Sequence, residues 1–151
     1  CDKDEWKEKQ ADLTIYTGKI DEYYNLQYGE LPYRSLEFTF HISYKKQDNF
    51  VYNMNTADIP ITRMYDYSYM THEHKGPTVI GNEKPIAHDS TNIPFYPMPF
   101  GPGGEIYAKY KKLAEEEKDV IFLGRLATYT YLDMWMAVKQ AMLKVDKILQ
   151  K

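Results

Sequence analysis

The sequence predicts an α+β fold in which an antiparallel sheet is followed by a helix, a buried strand and a C-terminal helix. Apolar and polar side chains alternate over residues 36–43, which is typical of a strand with one buried face in an antiparallel sheet. Apolar residues at helical spacing follow Glu105 and again Asp133, so two amphipathic helices are expected. Between them, the uninterrupted apolar run at residues 120–123 indicates a fully buried strand.

The composition excludes several classes of protein. The chain has 151 residues, of which 43% are hydrophobic and 27% charged, as expected of one folded domain or a piece of a larger one rather than of a disordered chain. The formal net charge of −3 gives no basic excess, so no nucleic-acid partner is expected. No stretch approaches the ~20 apolar residues that cross a bilayer, so no membrane span is expected.

The cysteine content and the first residue bear on location and processing. Cys1 is the one cysteine, so no internal disulfide can form, which favours a reducing compartment and a cytoplasmic location. Because the chain does not begin with methionine, we expect a fragment or a processed product. The alternative is a non-catalytic binding or cell-surface module in which Cys1 is lipidated.

The first two-thirds of the chain reads as a polar lead-in (1–12) and an antiparallel-sheet region (13–100). Strands are predicted at residues 13–16 and 36–43, and a polar turn at 45–49 leads to a return strand that begins at Phe50. In a further strand predicted at 62–70, one arginine and three tyrosines share a parity: Arg63, Tyr65, Tyr67 and Tyr69. On the pattern alone, this face indicates an exposed edge with amphipathic aromatics.

Residues 72–93 predict a loop, because glycine, proline, asparagine and aspartate are scattered through them. His72, His74 and His88 lie in this segment. No third ligand has convincing metal-site spacing beside His72 and His74, so no metal is expected.

The last third of the chain, residues 101–151, predicts a helix, a strand and a helix. A stiff proline-rich run at 94–99 and a glycine-rich turn at 101–104 precede the helix that begins near Glu105. The last helix begins near Asp133, a favourable N-cap residue. Its apolar face is wide enough to be largely buried in the parent structure and consists of Trp135, Val138, Met142, Val145 and Leu149.

The junction between the strand at 120–123 and the last helix is a candidate ligand site. Arg125 follows the strand, and the free N–H groups and dipole of a helix start at Asp133 favour anionic or electron-rich groups. Nucleotides and flavins bind at such sheet-to-helix junctions, where an arginine adds a bidentate phosphate partner. The alternative is an Arg–Asp ion pair that fastens the loop, and the spacing does not decide between them.

Five segments carry short motifs in a fixed order and with compatible spacing. They are residues 16–24 (YTGKIDEYY), 29–38 (GELPYRSLEF), 60–63 (PITR), 95–99 with 107–114 (FYPMP and YAKYKKLA), and 124–134 (GRLATYTYLDM). Together they resemble the motifs of the UDP-galactopyranose mutases, from about Leu13 to the last helix. One such motif alone is a weak signal, whereas five in order are specific.

The resemblance implies a fragment of a larger FAD-dependent α/β enzyme. The family interconverts UDP-galactopyranose and UDP-galactofuranose, in bacterial polysaccharide biosynthesis, through a reduced-flavin N5–sugar adduct. Its glycine-rich FAD-binding unit would precede this chain, which contains no GxGxxG, and residues 101–151 would complete the FAD-binding domain. We therefore expect a C-terminal portion that neither holds FAD tightly nor turns over alone, and that self-associates through its exposed apolar surface.

The resemblance also implies roles for individual residues. The substrate diphosphate would be held by Arg63, Tyr96 and Tyr131, with Arg34 a weaker candidate. FAD would be contacted by Arg125, Leu132, Asp133 and Met134. No side chain is assigned a catalytic role, because the flavin N5 is the nucleophile. The resemblance thus implies that the strand face shared by Arg63 and the three tyrosines forms a wall of the site.

Two departures from the family pattern suggest a divergent member or an altered substrate. Where the family continues after its PYTR motif with a Glu-His-Lys-His-like run, this chain has Asp66 followed by Tyr-Ser-Tyr. Ile61 also replaces the usual tyrosine of that motif. A different flavoprotein of the amine-oxidase type is a further alternative, although such proteins lack the combined PxTR and FYP segments.

Overall fold

The computed structural model describes residues 11–56, 58–71 and 76–150, which divide into two compact units. The mixed unit consists of the described residues within Cys1–Pro32 and Tyr96–Lys151, and the sheet unit of those within Tyr33–Phe95. The predictions for Cys1, for the lead-in up to residue 10, and for His72 and His74 lie outside the described residues. In the described part of the chain, no helix is long and apolar enough to cross a membrane.

In the mixed unit, two short strands that are far apart in sequence pair in parallel. β1 (Thr14–Tyr16) pairs with β7 (Val120–Phe122), in a register that sets Tyr16 opposite Phe122. The other elements of this unit are, in chain order, α1 (Ile20–Tyr23), β6 (Tyr96–Pro97), α3 (Pro102–Glu116), α4 (Gly124–Ala127) and α5 (Met134–Leu149).

Two fully buried tyrosines fasten the core of the mixed unit. The Tyr110 hydroxyl donates to the Gly29 carbonyl at 2.8 Å, and the Tyr129 hydroxyl lies 2.5 Å from the Pro32 carbonyl and 2.9 Å from that of Met98. Burial raises the pKa of Tyr129 to about 12, so the phenol stays protonated at neutral pH and can donate. These bonds satisfy the polar tips of side chains whose rings are buried.

The first long helix begins one turn earlier than predicted, at Pro102 instead of near Glu105. Proline suits the first helical position, because its fixed φ is helical and its missing N–H would have no intrahelical partner. Of the glycines predicted to form a turn, Gly103 and Gly104 lie within the helix and Gly101 is its N-cap residue. A Cβ at Gly104 would come within 2.7 Å of the Pro99 carbonyl oxygen, so glycine permits this close approach of the preceding backbone.

The prediction of a fully buried strand at residues 120–123 is wrong for β7, whose three residues are half-buried. The last helix begins at Met134, as expected, but its predicted apolar face is exposed, with 61% of Trp135 and 64% of Met142 accessible to solvent. Parallel strands are normally covered on both faces. Among the described residues of the mixed unit, nothing covers this side of α5.

The sheet unit is built on four antiparallel strands in the order β3–β4–β5–β2. These are β2 (Tyr33–Ser43), β3 (Val51–Asn53), β4 (Arg63–Asp66) and β5 (Thr78–Ala87), with the short helix α2 (Ser68–Thr71) after β4. An antiparallel sheet in a chain of mixed helices and strands confirms the α+β prediction. The predicted return strand is β3, but it pairs with β4, and β5 is the partner of β2.

The long strand β5 replaces the middle of the loop predicted at residues 72–93. Its glycine and proline both have places in the sheet. A Cβ at Gly81 would lie 2.9 Å from the Tyr67 ring and 3.0 Å from that of Phe40, so only glycine leaves room for both. Pro85 pairs with Leu36 of β2 and lies beyond the stretch that pairs with β4, so its missing N–H removes no bond to that strand.

The apolar face predicted to be buried on β2 is exposed instead. The exposed fraction rises along the strand, from 37% at Phe38 to 59% at Phe40 and 69% at Ile42. Rings from neighbouring positions pack on one another, with the Phe38 and Phe40 centroids 6.3 Å apart. No second layer lies over this face among the described residues of the sheet unit.

A buried carboxylate ends β4 and turns the chain into α2. Asp66 is fully buried and accepts bonds from the Gln47 N–H at 2.9 Å, the Ser68 N–H and hydroxyl at 3.0 and 2.7 Å, and the Thr78 hydroxyl at 2.5 Å. The turn takes Tyr69 into α2, so the prediction that it continues the strand face is wrong. Burial alone would raise the pKa of Asp66, but these bonds together lower it to about 2.

Asp66→Ala is expected to lower the free energy of unfolding of the intact gene product by about 3 kcal/mol or more, because each buried donor left unpaired costs ~1–3 kcal/mol. With a folded pKa near 2 against an ordinary 3.8, the carboxylate stabilises the fold above about pH 4 and loses this effect as the pH falls towards 2. Denaturant titrations at pH 7 and pH 3 measure both effects.

Asp89→Ala is the matched control for Asp66→Ala. Asp89 accepts from the N–H and hydroxyl of Thr91 in a similar turn, but in an exposed loop. Its loss should cost much less. Equal destabilisation by the two variants would contradict the role assigned to Asp66.

Candidate functional site

Arg63 lies at the start of β4, held between a neighbour on each side. The register sets it opposite Asn53 of β3 and Glu83 of β5. Its Nε donates to the Asn53 side-chain oxygen at 3.3 Å, and its Nη1 lies 3.8 Å from a Glu83 carboxylate oxygen. The side chain remains 44% exposed.

Glu83 was missed by the sequence analysis, because it falls in the segment predicted to be a loop. Glu83 is 6% exposed, and its carboxylate accepts from the Thr62 hydroxyl at 3.1 Å and the Tyr65 hydroxyl at 2.6 Å. Burial, and then the bond to Glu83, raise the pKa of the Tyr65 phenol, and a hydrogen bond to Arg63 partly opposes this shift. The signal that could have revealed Glu83 is the β-branched start of β5, Thr-Val-Ile.

Arg34 lies on the same face of the sheet as Arg63. Phe38 of β2 and Arg63 of β4 both pair with Glu83 of β5, and paired residues share a face. Arg34 has the parity of Phe38 and lies four residues before it, about 13 Å along the strand. The face therefore carries two exposed arginines with a row of aromatic rings beside them.

In the mixed unit, the structure brings three of the predicted residues together. The Arg125 guanidinium carbon lies 5.1 Å from the ring centroid of Tyr96 and 5.2 Å from that of Tyr131. The two rings are themselves stacked, 5.6 Å apart with 17° between their planes. Arg125 also donates to the Leu132 carbonyl through Nε, at 3.2 Å, and through Nη2. A cation within about 6 Å of a ring is attracted by its π-face.

The three residues at the start of α5 play different parts. Leu132 supplies the carbonyl that Arg125 holds. Asp133 is the N-cap residue as predicted, but its side chain makes no capping bond to the helix. Met134 is 88% exposed. Arg125 thus binds the backbone of the turn.

A cleft in the mixed unit lies elsewhere, between α3, the β1–β7 pair and α5. It has a volume of about 600 Å³ and its lining includes Leu13, Tyr107, Phe122, Lys144 and Ile148. None of the predicted site residues lines it. Its lining mixes apolar side chains with charged ones, among them Lys111, Lys118 and Lys147.

The two groups of residues share one kind of chemistry. In the sheet unit, an arginine anchored by Asn53 and Glu83 has a side chain that is 44% exposed. In the mixed unit, an arginine and two stacked phenols adjoin a helix start whose N-cap side chain makes no capping bond. Guanidinium groups, phenols and uncapped N–H groups are the groups expected of a protein that binds an anionic, ring-containing ligand.

Comparison with known proteins identifies the family to which the chain belongs. A family model described as UDP-galactopyranose mutase matches residues 1–131. The chain belongs to the UDP-galactopyranose mutase family, which confirms the resemblance in its motifs. It is 38% identical over 139 residues to a dTDP-fucopyranose mutase of Escherichia coli, covering 88% of this chain, and 37% identical over 140 residues to a probable UDP-galactopyranose mutase of Klebsiella pneumoniae, covering 89%.

A third relative, the UDP-galactopyranose mutase of Mycoplasma pneumoniae, is 34% identical over 143 residues, or 90% of this chain. In all three comparisons the matched region is 36% of the relative's length. The chain therefore spans about a third of the length of the curated relatives it matches.

Proposed function

We propose that this chain is the C-terminal portion of a nucleotide-sugar mutase that interconverts the pyranose and furanose forms of its sugar. UDP-galactopyranose is the first candidate substrate, because the family and two of the three relatives above are named for it. dTDP-fucopyranose is the second, since the relative that acts on it is as similar to this chain. The changes in the segment after Arg63 are where a different substrate preference would arise.

The observation that carries the proposal is the half-exposed Arg63, anchored on a sheet face that also carries Arg34. Ring contraction requires the nucleoside diphosphate to leave the anomeric carbon and then to return to it. A fixed guanidinium stabilises the negative charge that develops on the leaving diphosphate and retains the group until it reattaches. Arg63 suits this task, because Asn53 and Glu83 fix its orientation in advance. The assignment of Arg34, Tyr96 and Tyr131 to the same diphosphate stays a prediction.

The start of α5 fits the cofactor that the family implies, FAD. The Asp133 side chain leaves the first N–H groups of the helix uncapped, and Met134 beside them is exposed, so an electron-rich ring edge could accept from this backbone. Arg125 and the Leu132 carbonyl would keep the turn in the shape that presents those groups. When bound, a reduced flavin supplies an electron-rich nitrogen as the nucleophile.

The experiment that tests the proposal uses the intact gene product that contains this chain. Its mass and visible spectrum come first, and then mutase assays with UDP-galactofuranose and with a dTDP-fucose substrate under reducing conditions. We expect a yellow protein at least twice the mass of this chain that acts on one of the two. A colourless product without mutase activity would overturn the proposal and favour a binding module.

A purified 151-residue chain provides the complementary test. We expect it to hold no stoichiometric flavin, because it would lack most of the cofactor site. Stoichiometric flavin on this chain alone would contradict that expectation. Self-association through the exposed stripe of α5 and a cytoplasmic location stay predictions.

A further inference from the structure

We infer that Gln140 is a positioning residue for the cofactor turn: its side-chain oxygen accepts the Gly124 N–H and so holds residues 124–133 against α5. The bond is 2.9 Å long and joins α5 to the first residue of α4. The inference rests on the proposed function, since it concerns the segment proposed to meet FAD. It assigns a task to a side chain seven residues after Asp133, about 10 Å further along the helix axis.

Gln140 lies on the face of α5 that is turned towards the rest of the mixed unit. Ala137, Lys144 and Ile148 follow helical spacing from Gln140, and all four are half-buried, whereas the predicted apolar face of the helix is exposed. A hydrogen bond from this inner face to Gly124 restricts the rotation of α5 about its axis. That rotation decides the direction in which the first N–H groups of the helix point.

Gly124 begins the turn, and both sides of its backbone are hydrogen-bonded. Its N–H donates to Gln140, and its carbonyl accepts from the Thr128 N–H at 3.0 Å and from the Thr128 hydroxyl at 2.7 Å. Its φ of +83° lies in the region that glycine enters readily, and a glycine without such bonds can adopt several other conformations. The bond to Gln140 thus helps to select the backbone direction with which Arg125 begins.

Hydrogen bonds hold the turn at its start and at its end. At the start Gln140 accepts from Gly124, and just before α5 the Arg125 guanidinium donates to the Leu132 carbonyl. Between them, the Thr130 N–H donates to the Arg125 carbonyl at 3.2 Å. The turn and the first two helical turns of α5 therefore form one closed segment, in which loosening at Gly124 reaches the start of the helix.

Loss of the Gln140 acceptor would take this partner from the Gly124 N–H and allow the turn alternative shapes. A ligand that needs one shape then binds more weakly, in proportion to the fraction of molecules that keep it. The net contribution of one neutral hydrogen bond corresponds to a change of about fivefold in such an equilibrium. The same loss should therefore appear in the dynamics of the turn without cofactor and in the affinity for flavin.

The test compares Gln140→Met with Gln140→Glu in the intact gene product. Methionine has a similar length and helix propensity but is at most a weak acceptor, whereas glutamate keeps an oxygen at the same reach. Hydrogen exchange is measured without flavin, and the dissociation constant of FAD by titration of the flavin-free protein. For Gln140→Met we expect the amides of residues 124 and 130–135 to exchange about fivefold faster and FAD to bind about fivefold more weakly.

Gln140→Glu should restore both measurements towards those of the wild type, because the acceptor is restored. A side chain that only fills space would instead tolerate methionine. Gln150→Met is the matched control, since Gln150 is the exposed C-cap residue of the same helix. It should change neither measurement.

Four other results would overturn the inference and leave the proposed function standing. They are unchanged exchange of residues 130–135 in Gln140→Met, faster exchange with unchanged FAD affinity, weaker FAD binding with unchanged exchange, and equal impairment of Gln140→Glu and Gln140→Met. A wild type that binds no FAD would overturn both. If Gln140→Met does not fold, Gln140→Asn replaces it, because an amide one methylene shorter cannot keep the 2.9 Å bond, and the same changes are expected.

Discussion

Arg63→Ala in the intact gene product is expected to lower kcat/KM for the nucleotide sugar by about 100-fold or more, as for truncation of one partner of a buried or partly buried charge pair. Two effects add. The developing charge of the diphosphate loses its fixed cation, and Glu83 keeps a buried negative charge that now repels the ligand. Steady-state kinetics over a range of substrate concentrations measures the loss. Arg63→Lys should recover only part of it, because a point charge cannot bond Asn53 and a ligand in the same geometry.

Lys84→Ala is the matched control for Arg63→Ala. Lys84 is the next residue after Glu83 on β5, so it carries the same charge on the opposite face of the same sheet. Its exposed ion pair with Glu37, at 3.2 Å, should contribute little. If Lys84→Ala impaired the reaction as much as Arg63→Ala, the effect would come from net charge or from the fold, and Arg63 would lose its assigned role.

The sequence revealed the candidate site best where a role depends on strand parity alone. Arg63 and Tyr65 were assigned to one face before any register was known, and the structure places both beside Glu83 on that face. The same pattern failed at Tyr69. The Asp66 carboxylate accepts from the Ser68 N–H and so turns the chain out of the strand before Tyr69. The parity of a residue identifies its face only within the strand. A buried side-chain acceptor that ends the strand does not change the periodic pattern of the sequence, so the pattern cannot reveal it.

Glu83 shows why one wrong element hides a functional residue. Gly81 and Pro85 were read as loop formers, whereas each occupies a position set by residues distant in sequence. Gly81 makes room for the rings of Phe40 and Tyr67, and Pro85 lies where β4 no longer pairs. Such tertiary reasons cannot be read from local composition. Because β5 was not predicted, the sequence offered no reason to place Glu83 beside Arg63.

The apolar stripes of β2 and α5 mark another boundary of what sequence reveals. Periodicity shows that a face is apolar, but it does not show what covers that face. Phe40 and Trp135 both lie on predicted faces, and both are more than half exposed in the described chain. The chain spans about a third of the length of the curated relatives it matches, and the pattern alone did not indicate that these faces are exposed in it.

Arg125→Lys is expected to weaken FAD binding to the intact gene product by about tenfold or more. The planar guanidinium lies over two rings and donates twice to the Leu132 carbonyl, and an ammonium can reproduce neither the stack nor the paired bonds. The turn that carries Asp133 would then lose its fastening. Flavin content after dialysis measures the loss of affinity, and hydrogen exchange of the 130–135 amides without flavin measures the loosening separately.

If Arg125 holds the turn, the amides of the turn should exchange faster in Arg125→Lys even without cofactor. This result would distinguish a role in holding the turn from direct contact with flavin. Lys109→Ala is the matched control, because Lys109 also lies over a tyrosine ring, 5.8 Å from the centroid of Tyr28, but on an exposed part of α3. It should change neither readout. Faster exchange with unchanged flavin affinity would mean that the turn does not contact the cofactor. Unchanged exchange with lost flavin would instead make Arg125 a direct ligand whose bonds to Leu132 are incidental.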